Sequence, residues 1–265
     1  MTYADLTFEQ WNKRSDDAAR RIAAEIAGRL DLTVVGLRST VYAGRSHRVA
    51  LFDRAGMRFA LVPGGRPTLG YDAGRFQPAA GQADSFADSA DEYGLPSLAE
   101  YVDAMTSPAR AVELPARLVA VEAFDPGEVP LAPGDPLAGL AVMGLRTTTP
   151  DEWEWACGAG AATLFRWGDR SPDDGYPCDH RTGPHREANL WGLAIGQDPY
   201  RHEVTTERTI VCGGDGGSAT CGGSGFFLGW LTLATAYRDE QFGQWLASDA
   251  GYADGALTRP VIELG

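Results

Sequence analysis

Between Val211 and Arg238 the chain reads VCGGDGGSATCGGSGFFLGWLTLATAYR, and no other stretch restricts its fold as strongly. Gly213, Gly214, Gly216, Gly217, Gly222, Gly223 and Gly225 crowd around one aspartate, Asp215, and two of the four cysteines, Cys212 and Cys221. Glycine loses more conformational freedom on folding than any other residue. A stretch this rich in it marks backbone that passes close to something or turns through positive φ. Asp215 suits a cap that accepts hydrogen bonds from the backbone N–H groups of the loop. From Phe226 to Tyr237 the stretch becomes continuously apolar and reads as a buried strand.

A chain of 265 residues, 44% hydrophobic, suits one large domain, or one domain with a helical N-terminal extension. The formal net charge of −13 argues against non-specific binding to nucleic acid or an anionic membrane. Lys13 is the only lysine, so Schiff-base or lysine-base chemistry has one candidate. The opening MTYADLTFEQW lacks a basic segment followed by an apolar one, and no run has the length to span a bilayer. The expectation is a cytoplasmic protein with reduced cysteines, available for thiol or metal chemistry rather than a disulfide framework.

Leu6 to Leu30 has helical periodicity, with Trp11, Ala18, Ile22, Ile26 and Leu30 on one face. Leu32 to Leu61 alternates as short strands, with a hairpin turn at Arg54 to Gly56. Val62 to Asp72 reads as a strand end and loop. Phe76 to Tyr93, acidic and rich in Ala, Ser and Gly, reads as a mobile surface insert. Helical content follows around Leu98, Tyr101, Val102 and Met105, and a Pro/Gly-rich connector runs from Asp125 to Gly139. Thr149 and Pro150 start a second clear helix, with Glu152 in its first turn. Cys157, four residues after Trp153, shares its face and reads as a buried small residue. Thr163 to Trp191 is a long aperiodic region of the kind that often carries function.

One constellation goes further. Arg146-x-x-Thr149-x-x-Glu152-Trp153-Glu154-Trp155-Ala156, followed by Phe165-x-Trp167-Gly168-Asp169, resembles the signature of the formylglycine-generating enzyme (sulfatase-modifying factor) family. Where that family has proline two residues after the arginine, this chain has Thr148. Val62 to Gly70, Asn189 to Glu203, the glycine-rich segment and the ending Ala236-Tyr237-Arg238 are similar to further family elements. The resemblance runs from about Val62 to the C-terminus. It implies an α+β, C-type-lectin-like fold that is irregular and loop-rich, with short antiparallel strands and a few helices. Residues 1–60 form an N-terminal helix and strands packed on a family-like domain at 61–265.

The family holds copper(I) between two cysteine thiolates and oxidises a cysteine in a peptide, chemistry that needs soft sulfur donors. The resemblance puts Cys221 at the first thiolate and Ser218 beside it, while the second thiolate position falls on Phe226. Cys212 replaces that ligand if the loop folds back; otherwise the two cysteines are packed separately or joined as a disulfide. Asp198 and Glu203 stand where the family places structural calcium ligands, and Arg238, in the matched ending, and Asp215 are candidate binding residues. Cys178, Asp179, His180, His185 and Glu187 form a second candidate cluster, for zinc or iron. Two readings of function follow. One is a metal-dependent oxidoreductase acting on a peptide or small substrate through Cys221. The other is a non-catalytic lectin-like module binding a ligand or protein, with Trp191 and Tyr200, along with Phe165, Trp167 and Tyr176, either lining an aromatic site or filling the core.

Overall fold

The computed structural model describes residues 2–125, 136–248 and 256–265, so most of the expected connector at 125–139 lies outside the described residues. The protein is α+β, built on a six-stranded antiparallel sheet in the order β1-β2-β3-β6-β11-β7. Its strands are β1 (Thr33–Tyr42), β2 (Arg45–Arg54), β3 (Met57–Val62), β6 (Arg117–Ala120), β7 (Arg146–Thr147) and β11 (Pro260–Glu263). Two tight turns join the first three strands, at Ala43-Gly44 and Ala55-Gly56, all four residues with positive φ. That is the two-residue geometry that matches strand twist, and it bears out the hairpin read at Arg54 to Gly56. The boundary expected at residue 60 falls inside β3: the N-terminal strands are half of the main sheet.

Side-chain alternation divides the core between the two faces of this sheet. Ala50, Phe52, Phe59, Leu61, Leu118 and Ala120 face one side, where Trp11 and the alanine-rich stripe Ala19, Ala23 and Ala27 cover them. Val49, Leu51, Ala60, Val62 and Val119 face the other and pack on Trp153, Cys157, Leu190, Trp191 and Cys212. The N-terminal helix is two helices rather than one, α1 (Phe8–Asn12) and α2 (Asp16–Leu30). Ser15 divides them because its hydroxyl caps Ala18 N–H, starting a new helix where the periodic pattern alone shows no break. Gly28 lies inside α2; the helix ends at Asp31 in the left-handed region.

Two expectations are overturned in the half of the fold outside the main sheet. The acidic stretch before Tyr93 is a helix, α3 (Ala80–Tyr93), with Gln82, Phe86 and Ser89 buried. The apolar run after Gly225 opens as a helix, α8 (Phe226–Leu231), not a strand. A short run buried on all sides carries no period that separates the two. One contact accounts for both: Gly225 N–H donates to Ser89 Oγ (2.7 Å) and Phe227 N–H to Ser85 Oγ (3.1 Å). The small residues of α3 let the start of α8 come that close. With α4 (Leu98–Ala104), these helices enclose a core of Tyr71, Phe86, Val102, Phe165, Phe227, Trp230 and Tyr237. A two-stranded ladder, β4 (Thr68–Leu69) with β5 (Arg110–Ala111), borders this half.

α5 (Pro136–Val142) precedes β7. α6 (Pro150–Gly158) starts as read, with a capping box between Thr149 and Glu152. Glu152 also binds Arg146 and Arg117. A small sheet, β8 (Glu203–Val204) between β9 (Val211–Cys212) and β10 (Leu257–Thr258), is locked to the main one by buried Arg259. That guanidinium donates to both carboxylate oxygens of Glu203 (2.7 and 2.6 Å) and to the carbonyls of Ala120 and Ala194 (2.7 and 2.8 Å). Among the described residues no helix is long and apolar enough to cross a membrane.

Candidate functional site

The glycine-rich segment leaves β9, turns at Asp215, forms one helical turn at α7 (Ser218–Cys221) and enters α8 at Gly225. Asp215 is buried and caps this turn as expected, Oδ1 accepting from Gly217 N–H (2.8 Å) and Oδ2 from Ala219 N–H (2.7 Å). Burial raises its pKa above the usual carboxylate value and these hydrogen bonds pull it back down. Glycine is required at Gly217, where φ is +84° and any Cβ would run into the Tyr200 ring. Gly214 is pressed the same way onto the Pro199 carbonyl.

The segment separates the two cysteines. Cys212 points from β9 into the core beside Trp153 and Cys157, is fully buried, and has its thiol pushed up to about 12 by burial. Cys221 is exposed on α7, with its sulfur 3.1 Å from the Tyr200 hydroxyl. That contact is the largest cause raising the Tyr200 pKa to about 12. All four cysteines are free thiols. Ser218 is exposed at the start of the same turn.

Three phenols converge on the backbone around Cys221. Tyr93, at the end of α3, donates to Gly222 O (3.3 Å), and Tyr176, from the long loop, donates to Ser224 O (2.5 Å). Tyr200 completes the set through the sulfur. Phe226, at the position the resemblance gives to a second thiolate, packs edge-on against Tyr176 with centroids 5.0 Å apart. Tyr93, Tyr200 and Phe226 keep 46%, 40% and 36% of their surface exposed, so the thiol sits within an accessible aromatic rim. Tyr93 had no sequence signal, because it ends a stretch that reads as an unstructured insert.

The remaining candidates lie elsewhere. Trp191 is a core residue: it is fully buried, donates to Trp155 O (3.2 Å) and packs edge-on against Phe8 and His47. Phe165 is likewise buried, stacked on Trp167. Arg238 binds Glu154 (2.8 Å), a buried carboxylate that also accepts from Ser107 Oγ, Arg110 and Gly70 N–H. Asp198 caps Tyr200 N–H and pairs with Arg186 (3.3 Å). Glu203 holds Arg259 and Trp153 Nε1 (2.9 Å). Asp198 and Glu203 do line one cavity of about 290 Å³, but Arg201 and Arg259 line it with them. A resident guanidinium occupies the role a calcium ion would take at Glu203.

In the long loop, His180 Nε2 meets Asp174 O (2.6 Å), while His185 Nε2 meets Pro177 O and His180 O (both 3.2 Å). These imidazoles brace loop backbone. Among the described residues no group of three or more His, Cys, Asp or Glu side chains is placed to hold a metal ion. No protein-family model and no curated protein matches the chain.

Proposed function

We propose that this chain is a divergent protein of the formylglycine-generating enzyme type, on a C-type-lectin-like scaffold, that binds a protein partner through the aromatic rim around Cys221 without copper chemistry. The observation that carries this reading is the opposite placement of the two thiols. Copper(I) needs soft donors that converge. Cys212 has its sulfur in the core with burial opposing its ionisation, and Phe226 offers no donor atom. The available residues do not fit the metal. What remains at the surface is an ordered segment clasped by three phenols and flanked by Phe226. Large, rigid amphipathic rings of this kind are enriched at protein interfaces, because they supply contact area at little entropic cost.

A metal-dependent oxidoreductase acting on a peptide or small substrate through Cys221 is the second reading, favoured by the exposed Cys221 thiol with its sulfur 3.1 Å from the Tyr200 hydroxyl. Copper(I) titration of the reduced protein against a chromophoric chelator separates the two. The binding reading expects no copper retained. One equivalent retained by the wild type, and lost in both Cys212→Ser and Cys221→Ser, overturns it.

A further inference from the structure

The ladder of β4 and β5 leaves part of one strand edge without a partner, and the position of that gap assigns it an occupant. Gly65 and Leu114 exchange both backbone hydrogen bonds (2.8 and 2.9 Å), and Val112 N–H donates to Pro67 O (3.1 Å). Hydrogen-bonded and non-bonded pairs alternate along an antiparallel ladder. Gly65, Pro67 and Leu69 therefore turn their backbone groups toward the β5 side. Gly64, Arg66, Thr68 and Gly70 turn theirs the other way.

That outer edge is occupied at both ends. Gly64 N–H donates to Leu6 O (3.0 Å) and Gly64 O accepts from Phe8 N–H (3.1 Å), a short parallel pairing that stops where Thr7 caps α1 and the chain turns away. At the far end Gly70 N–H donates to the Glu154 carboxylate. Between them the N–H and C=O groups of Arg66 and Thr68 have no partner among the described residues. These two residues line a cleft of about 530 Å³, together with Phe8 and Glu154, the neighbours of the two occupied ends. Gly158, Gly160, Ala161 and Ala162, whose small side chains leave the slot open, also line it, and Trp155 and Phe8 contribute aromatic surface.

We infer that this slot binds an extended peptide segment by strand addition, continuing the edge where residues 6–8 leave it. Two donors and two acceptors at every second residue, roughly 7 Å apart, are the hydrogen-bond repeat of a strand. A segment of about five residues spans both positions. The aromatic surface selects an apolar side chain at alternate positions of the peptide, and the glycine and alanine lining selects small ones between. The open edge is only a few residues long, which limits the indiscriminate pairing that long exposed edges invite. The slot shares no lining residue with the Cys221 rim, so this inference stands apart from the proposed function.

The test is selection of random heptapeptides displayed against the full chain, followed by calorimetry and amide hydrogen exchange with the best synthetic peptide. The expected peptide alternates apolar and small residues and slows exchange at the Arg66 and Thr68 amides by at least about tenfold. Methylating the peptide nitrogens that face the edge, or the substitution Thr68→Pro in a chain of unchanged circular dichroism, weakens binding by about tenfold or more. The double substitution Tyr93→Ala with Tyr200→Ala leaves it unchanged. Should no peptide be enriched, or should the enriched peptide protect other amides and tolerate N-methylation, the inference is overturned.

Discussion

His47 and His202 show how one residue type takes its character from its surroundings. Both are buried, His47 against Phe8 and Trp191, His202 against Phe242. Burial is the main cause that lowers each to about 4, with Arg48 adding to it at His47. Unfolded, a histidine titrates near 6.5. Between about pH 6.5 and pH 4 the unfolded chain therefore binds protons that the folded chain refuses, and stability falls as pH falls through that window. Each of the two is expected to cost on the order of 1–2 kcal/mol by pH 5. Urea unfolding at pH 7 and pH 5 measures the loss, and His202→Phe is expected to remove its share of the difference. Asp215, raised by burial, acts in the opposite sense, losing stability as pH rises. His47 lies on β2, and its place in the strand alone does not distinguish packing from exposure. Only the aromatic rings around it decide that it packs, and those rings come from α1 and from a loop far away in the chain.

At the scale of the element, glycine has opposite meanings in α2 and at the entry to α8. Gly28 lies in the helix interior with open space where a Cβ would be, and Gly28→Ala is expected to raise stability by about 1 kcal/mol. A methyl group at Gly225 would collide with the carbonyl of Ser85 and the hydroxyl of Ser89. Gly225→Ala is expected to cost about 1–3 kcal/mol, because it forces apart two packed elements. Thermal unfolding of the two variants side by side checks both signs. The contrast explains which elements were legible. α6 announces itself through Thr149, Pro150 and Glu152, all local cues. The β2–β3 hairpin does so through Ala55-Gly56. α3 and α8 do not, because their residues suit a contact with each other rather than a local periodicity. Between α1 and α2 the local cue is the Ser15 cap, set against a helical pattern that runs through it.

The whole molecule is organised by the main sheet, half of which comes from the first 62 residues. Removing residues 1–30 uncovers the face formed by Phe52, Phe59, Leu61 and Leu118, which Trp11 and α2 otherwise bury. That fragment is expected to lose its cooperative unfolding transition, by calorimetry or by near-ultraviolet circular dichroism. A cooperative transition within a few degrees of the full chain would show that the N-terminal layer is an accessory. The buried pairing of Arg259 with Glu203 joins the small sheet to the large one across 56 positions of sequence. No local pattern announces such a partner: Glu203 reads as a candidate calcium ligand and Arg259 carries no cue that the two pair.

By itself the sequence determined the features that depend on neighbours in the chain. These are the caps of α6, the turn between β2 and β3, the Asp215 cap of the glycine loop and the burial of Cys157 beside Trp153. The family resemblance likewise rests on contiguous residues from Arg146 to Asp169. Tertiary structure alone decided that Cys212 faces the core while Cys221 faces solvent. It alone brought Tyr93, Tyr176 and Tyr200 onto one short segment, and left the outer edge at Arg66 and Thr68 open. The physical reason is common to all three. Burial, convergence and unpaired backbone are properties of surfaces assembled from distant segments, and chain entropy leaves them unspecified until the core has closed.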